Sequence, residues 1–441
     1  MKKTLLISLA ALLTGSAAFA EGEETPAKFK LYGFIRNYTT VDTREVKAGT
    51  GDLYFYMPQD INMAADGATD LNAGINWRSL SLTTRLGLDV SGYQFGSMKL
   101  GGKVEADFYS FNGSDSSNRI AQLRLRQAFV NLGWDFSEKS RLGLVVGQAW
   151  HPMAADMPHM TNLETGAPFN PFNRSPQMML TYTAGGWAFT GGLLYLNHYL
   201  PIDAETGKKS VAPFKYGLPE VYAGVSFKGG PILARVGVDV LNTKPYRTYM
   251  VPTVEDPVVG GKANGYMTAI SPFVFFQYTK GLFQLRAKSI LAQSCEHLNL
   301  LSGYAVASYD DATHTYAYTP MQTTASFISF QYGKKYQVMM MAGYMKQLGT
   351  TADIAEGYKI LLNTAASTSI QQALRVTPTF ALNLGKFTVS FEYNFTTAEF
   401  GNSKASGYQE TPQRGKRGLY EAGQTHWVCN HRFINMVKFN F

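Results

Sequence analysis

Residues 121–130 read "AQLRLRQAFV". Leu123 and Leu125 alternate with Arg124 and Arg126, and a period of two is the signature of a strand with two unlike faces. Leu123, Leu125 and Phe129 are assigned to the outer face and the two arginines to the inner one. The same pattern recurs along the chain. "LSLTTRLGLDV" (80–90) sets Leu80, Leu82, Leu86, Leu88 and Val90 against Ser81, Arg85 and Asp89. "MKLGGKVEADFY" (98–109) separates Met98, Leu100, Val104 and Phe108 from Lys99, Lys103, Glu105 and Asp107. "ILARVGVDV" (232–240) and "LFQLRAKSIL" (282–291) repeat it, with Arg235 and Asp239, then Arg286 and Lys288, on the polar side.

The connections fall into two kinds that interleave. Short turn signals stand at 91–97, 134–140, 184–186, 227–231, 278–282, 332–335 and 384–386. Long polar segments fill roughly 42–72, 110–118, 150–174, 198–215, 242–265, 296–319, 349–368 and 399–425. Seven turns and eight loops make fifteen connections and sixteen strands. Bacterial transmembrane barrels have even strand numbers with short turns at one end and long loops at the other. The fold class expected is therefore all-β, a transmembrane antiparallel β-barrel of about sixteen strands. The final segment, "INMVKFNF" (434–441), would pair with "FKLYGFIRN" (29–37), because no open sheet edge survives in lipid. Its terminal Phe441 resembles the assembly signal of outer-membrane barrels.

Composition agrees. The 441 residues include 28 Phe, 26 Tyr and 42 Gly, while hydrophobic residues make up only 45%. Aromatic and glycine excess at moderate hydropathy suits a wall that is half lipid-facing and half wet; bulk numbers alone leave a secreted soluble β-protein open. Residues 1–20 ("MKKTLLISLAALLTGSAAFA") read as a signal peptide ending in an A-x-A site, leaving one domain over 21–441. Removing Lys2 and Lys3 would lower the formal charge from +8 to +6. Two cysteines, Cys295 and Cys429, are too few for a disulfide scaffold; pairing and two free thiols are both open. Aromatics flank the short turns, as in an interfacial girdle.

A Lys or Arg facing mid-bilayer costs about 2–4 kcal/mol. Arg36, Arg85, Lys103, Arg124, Arg126, Arg235, Arg286, Lys288, Arg375 and Arg432 are therefore expected to line the interior, with Glu105, Asp107, Asp89 and Asp239 as fewer inward acids. A sixteen-strand barrel holds an aqueous channel, and rings of Arg and Lys favour anions. The bland alternative is that these charges pair with the acids and merely solvate the wall; Arg85 with Asp107 or Glu105 is the expected pair. The loop at 150–177, rich in Pro, Met and His, is a candidate constriction of the pore. His151, Asp156 and His159 there match no zinc spacing, so neither a metal nor a cofactor is expected. Histidines scattered through loops without a motif-bearing serine argue against an enzyme. A surface-binding barrel and a phosphate-type porin stand as alternatives, and no nucleic-acid partner is expected.

In order and spacing, "KLYGFIRNYT", "TTRLGLDVSG…GGKVEADF", "RLRQAFVNLGW" and "LGLVVGQAWHPM" resemble the opening third of the DcaP-like outer-membrane porins, over about residues 30–153. The resemblance implies a sixteen-stranded homotrimer in the bacterial outer membrane. It also implies a third loop narrowing the lumen, passage of small anionic solutes such as dicarboxylates, and pore-lining roles for Arg85, Arg124 and Arg126. Unlike in some family members, no helical coiled-coil segment is expected before the barrel.

Overall fold

The structure is a computed structural model describing residues 27–49, 54–109, 121–162, 165–251, 257–362, 369–408 and 414–441. The expected signal peptide lies outside the described residues. The barrel strands are β1 (Lys28–Arg44), β2 (in two runs, Ala73–Leu80 and Arg85–Phe95), β3 (Met98–Tyr109), β4 (Gln122–Ser137) and β5 (Ser140–Trp150). They continue as β6 (Arg174–Ala184), β7 (Trp187–Leu194), β8 (Leu218–Gly229), β9 (Ile232–Thr243), β10 (Met267–Lys280) and β11 (Phe283–Gln293). The last five are β12 (Thr315–Gly333), β13 (Tyr336–Thr350), β14 (Ile370–Leu384), β15 (Phe387–Gly401) and β16 (Thr425–Asn440).

Each strand pairs antiparallel with the next, and β16 returns onto β1 from Phe34 opposite Asn440 to Asp42 opposite Arg432. The seam continues past the strand end, where Phe441 N–H donates to Gly33 O at 3.1 Å. Closure leaves no backbone edge to face lipid, the condition for a spanning sheet. The sixteen strands expected from the interleaved turns and loops are all present. Among the described residues no helix is long and apolar enough to cross a membrane; the crossing is made by strands. On the outside, Leu31, Ile75, Trp77, Leu123, Phe391 and Phe433 are more than half exposed. Phe136, Trp187, Tyr332 and Tyr336, beside the short turns, are exposed by half or more.

Among the one-residue slips in the alternation, two redirect side chains whose facing the sequence pattern assigned. β1 pairs Tyr38 with Leu80 but Phe34 with Arg85, so β2 carries one extra residue across 81–84, where Thr83 takes a left-handed φ of 69°. Leu80 and Leu82 therefore turn inward, packing with Tyr38, Ile434 and Met436, whereas Leu86, beyond the slip, faces out. In β4 the register jumps between Ala106–Leu125 and Glu105–Gln127, so Arg126 and Gln127 are both buried inside. Phe129 then falls opposite Lys103 on the inner face, correcting its outward assignment. A bulge inserts one residue and inverts everything after it.

The apolar core lies within the barrel, toward the long-loop end. Tyr56 and Met57 from the first loop and Met153 and Phe169 from the third pack against wall residues Phe273, Phe275, Phe327 and Met341. The two cysteines are free, Cys295 buried and Cys429 exposed.

Candidate functional site: the lumen

The third loop (151–173) leaves β5 and returns to β6, yet its hydrogen bonds reach the far wall. Tyr38 on β1 donates to Thr161 O at 2.9 Å, and Thr161 Oγ1 lies 3.0 Å from Ser390 Oγ on β15. His159 N–H donates to Ser329 Oγ on β12 at 3.1 Å. Arg286 on β11 donates to Met157 O at 2.8 Å, and Arg375 on β14 donates to Ala167 O at 2.9 Å. A loop bonded to β1, β11, β12, β14 and β15 crosses the barrel interior. Its composition allows this: four prolines in 151–173 donate no N–H, and several of the other backbone groups find partners on an inner wall rich in Ser, Thr and Arg.

Between this loop and the wall lies a cavity of about 930 Å³. Its cationic lining is Arg36, Arg85, Arg124, Arg126, Arg286, Lys209 and Lys438, and among the described residues no Asp or Glu lines it. Carboxylates stand behind the arginines and hold them. Arg124 clasps Asp107 with two bonds of 2.9 Å, while Arg126 spans Glu105 at 2.7 Å and Asp107 at 2.6 Å. Arg85 lies 3.8 Å from Glu105. Bidentate pairs of this kind fix the guanidinium planes, so the lining is a set of oriented cations. Arg36 is anchored by Thr83 Oγ1 at 2.9 Å and sits over the Phe34 and Tyr38 rings.

The other candidates from the sequence divide. Lys103 pairs with Asp89 at 3.1 Å and lies over Tyr32. Arg235 faces Asp156 of the third loop at 3.5 Å. Lys288, Arg375 and Arg432 are on the inner face and as buried as Arg36, but unlike Arg36 they do not line the cavity, and here their expected lining of open lumen is corrected. Lys288 donates to Met153 O and Asn170 Oδ1. Arg375 donates to Thr396, Ala167, Phe55 and Tyr56, and Arg432 is locked on Asp42 at 2.7 and 2.8 Å. Lys288 and Arg375 hold loops, while Arg432 ties β16 to β1 beneath the Phe55 ring, because a buried charge is stable only when well hydrogen-bonded.

Sequence reasoning passed over Asp42, Arg174 and Lys209. Asp42 keeps the inward phase of Arg36, Tyr38 and Thr40, a signal that counting 42 as loop concealed. Arg174, at the start of β6, stacks on Trp150 and Phe172 at 4.9 and 5.3 Å. Lys209 sits in a loop with no periodicity to reveal it. Of the loop histidines, His159 is held neutral by burial and by Arg286, which bring its pKa down to about 4.

No family model and no curated protein matches the sequence. Solved structures do. The outer membrane channel DcaP of Acinetobacter baumannii superimposes with a TM-score of 0.59 at 16% identity, over 94% of this chain and 97% of that one. An anion-selective porin from Comamonas acidovorans gives 0.52 at 13%, over 94% and 100%. OmpT, an outer membrane protein of Vibrio cholerae, gives 0.50 at 11%, over 96% and 100%. The chain has the fold of a sixteen-stranded outer-membrane porin. At these identities the likeness is one of fold.

Proposed function

We propose that the protein is an outer-membrane porin, a water-filled channel for passive diffusion that favours small anions, dicarboxylates among them. The observation that carries this reading is the lumenal cavity, lined by seven cationic side chains and, among the described residues, by no carboxylate. An anion entering it meets oriented guanidinium groups, while a cation meets only like charge at short range. The third loop serves as the constriction, positioned by its bonds to the opposite wall. Arg36, Arg85, Arg124, Arg126 and Arg286 are the residues that set selectivity. Lys103, Arg235, Glu105 and Asp107 tune the field behind or beside them. The family resemblance adds a homotrimer, which would run as a high-mass band on unheated gels.

Planar-bilayer recording tests the reading. Ohmic single-channel conductance with a reversal potential toward the chloride equilibrium value is the expected outcome. A non-conducting barrel, or cation preference, would overturn it.

A further inference from the structure

Away from the open cavity, four buried polar side chains converge where β8 and β9 meet the third and sixth loops. Ligand-type atoms of His151, Glu220 and His297 all lie within 4.8 Å of one another. Glu220 on β8 and Asp239 on β9 share the inner face, since Asp239 is the register partner of Tyr222. His151 opens the third loop, and His297 sits in the short turn Glu296–Leu298 of the sixth.

The two histidines are not equivalent. His151 Nδ1 accepts from Met153 N–H at 3.2 Å, so Nε2 carries the ring proton and donates to Glu220 Oε1 at 3.0 Å. His297 Nε2 lies 2.8 Å from that same oxygen and 3.8 Å from Asp239 Oδ2, yet it makes no hydrogen bond. Glu220 Oε2 and both Asp239 oxygens are also buried without a hydrogen-bond partner. Among the described residues, no Lys or Arg lies within ion-pair distance of either carboxylate. Two carboxyl groups facing an imidazole in a dry pocket leave acidic groups side by side and lone pairs orphaned, both costly to bury. One ion of charge +2 at their common centre would remove both costs, and imidazole with carboxylates is a donor set for such ions.

We propose that His297 Nε2 and the carboxylates of Glu220 and Asp239 bind a divalent first-row transition ion of the zinc type. His151 is then a positioning residue, since its N–H holds Glu220 in the ligating pose, as outer-shell donors do for metal carboxylates. The ion ties the sixth loop to β8 and β9 and, through His151, fixes the root of the loop that crosses the lumen. A side cavity of about 110 Å³, lined in part by Phe214, Glu220 and Leu241, leads to the cluster. The site stands whether or not the barrel selects anions.

The test uses full-length folded protein in detergent, stripped with a chelator and titrated with ZnCl2. Metal content after desalting and the thermal unfolding midpoint, with and without zinc, are the readouts. One zinc retained per chain and a raised midpoint are expected for the wild type, and both should vanish in Asp239→Asn and His297→Gln. His151→Gln should keep the stoichiometry but weaken affinity by about tenfold to a hundredfold. If the wild type retains no zinc, the carboxyl pair is satisfied by a shared proton and the proposal falls. It falls equally if either ligand variant binds zinc as the wild type does, because the ion then sits elsewhere. Should Asp239→Asn fail to fold, the visible d–d absorption of Co2+ in wild type, absent in His297→Gln, decides the same question.

Discussion

Removing both arginines of the 121–130 stretch should weaken the anion preference of the lumen. Arg85, Arg124 and Arg126 face Glu105 and Asp107, three positive charges against two negative, a local sum of +1. Arg124→Ala/Arg126→Ala takes that to −1, and Glu105→Gln/Asp107→Asn takes it to +3. A unit charge about 7 Å from a permeating ion in water contributes about 0.6 kcal/mol. Screening at 0.1 M salt roughly halves this, so two charges shift an ion's energy by about 0.6 kcal/mol. Anions lose and cations gain roughly threefold in partitioning, and the chloride-to-potassium permeability ratio falls roughly sevenfold. The carboxylate double variant should raise the ratio by a similar factor. Reversal potentials under a tenfold KCl gradient measure both, with heat-modifiability on gels confirming that each variant is a folded barrel. If the two variants shift the ratio in the same direction, or neither shifts it, the oriented-cation account of the lumen is wrong.

Further expectations concern the loops and the seam. Arg375→Met strips the donor from Ala167, Phe55 and Tyr56 carbonyls. It should cost about 3 kcal/mol, seen as a lower unfolding midpoint and faster proteolysis of the first and third loops together. Gly33→Val would place its Cβ 2.3 Å from Arg85 O and 2.6 Å from the Phe441 ring. Loss of the heat-modifiable species is expected, and normal folding would show that the β1–β16 seam tolerates what the geometry forbids. His159 has a folded pKa of about 4 against an ordinary 6.5. Because the folded state resists protonation, seating of the third loop is unpenalised above pH 6.5 and weakens as pH falls toward 4. Limited proteolysis within 151–173 should therefore be faster at pH 4.5 than at 7.5, and His159→Gln should abolish the difference.

The strand count, closure and wet interior followed from the sequence alone. Alternation and loop length are local properties, and the cost of a charge in lipid leaves Arg124 and Arg126 only one side to face. What local pattern could not determine is where that pattern breaks. Nothing in "LSLTTRLGLDV" marks the extra residue that turns Leu80 and Leu82 inward, and nothing in "RLRQAFV" announces the bulge that carries Phe129 in with them. Both slips are set by register against a neighbouring strand.

The distinction between a cation that faces open lumen and one that holds a loop is likewise tertiary. Arg36 and Arg375 look alike in sequence, each inward on its strand. Only the path of the first and third loops covers Arg375 with Phe55, Tyr56 and Ala167 and leaves Arg36 on the cavity. The same holds for His151, Glu220, Asp239 and His297. They come from two loops and two strands up to 146 residues apart, and the folding of the third and sixth loops against the wall is what sets their charges and lone pairs facing one another.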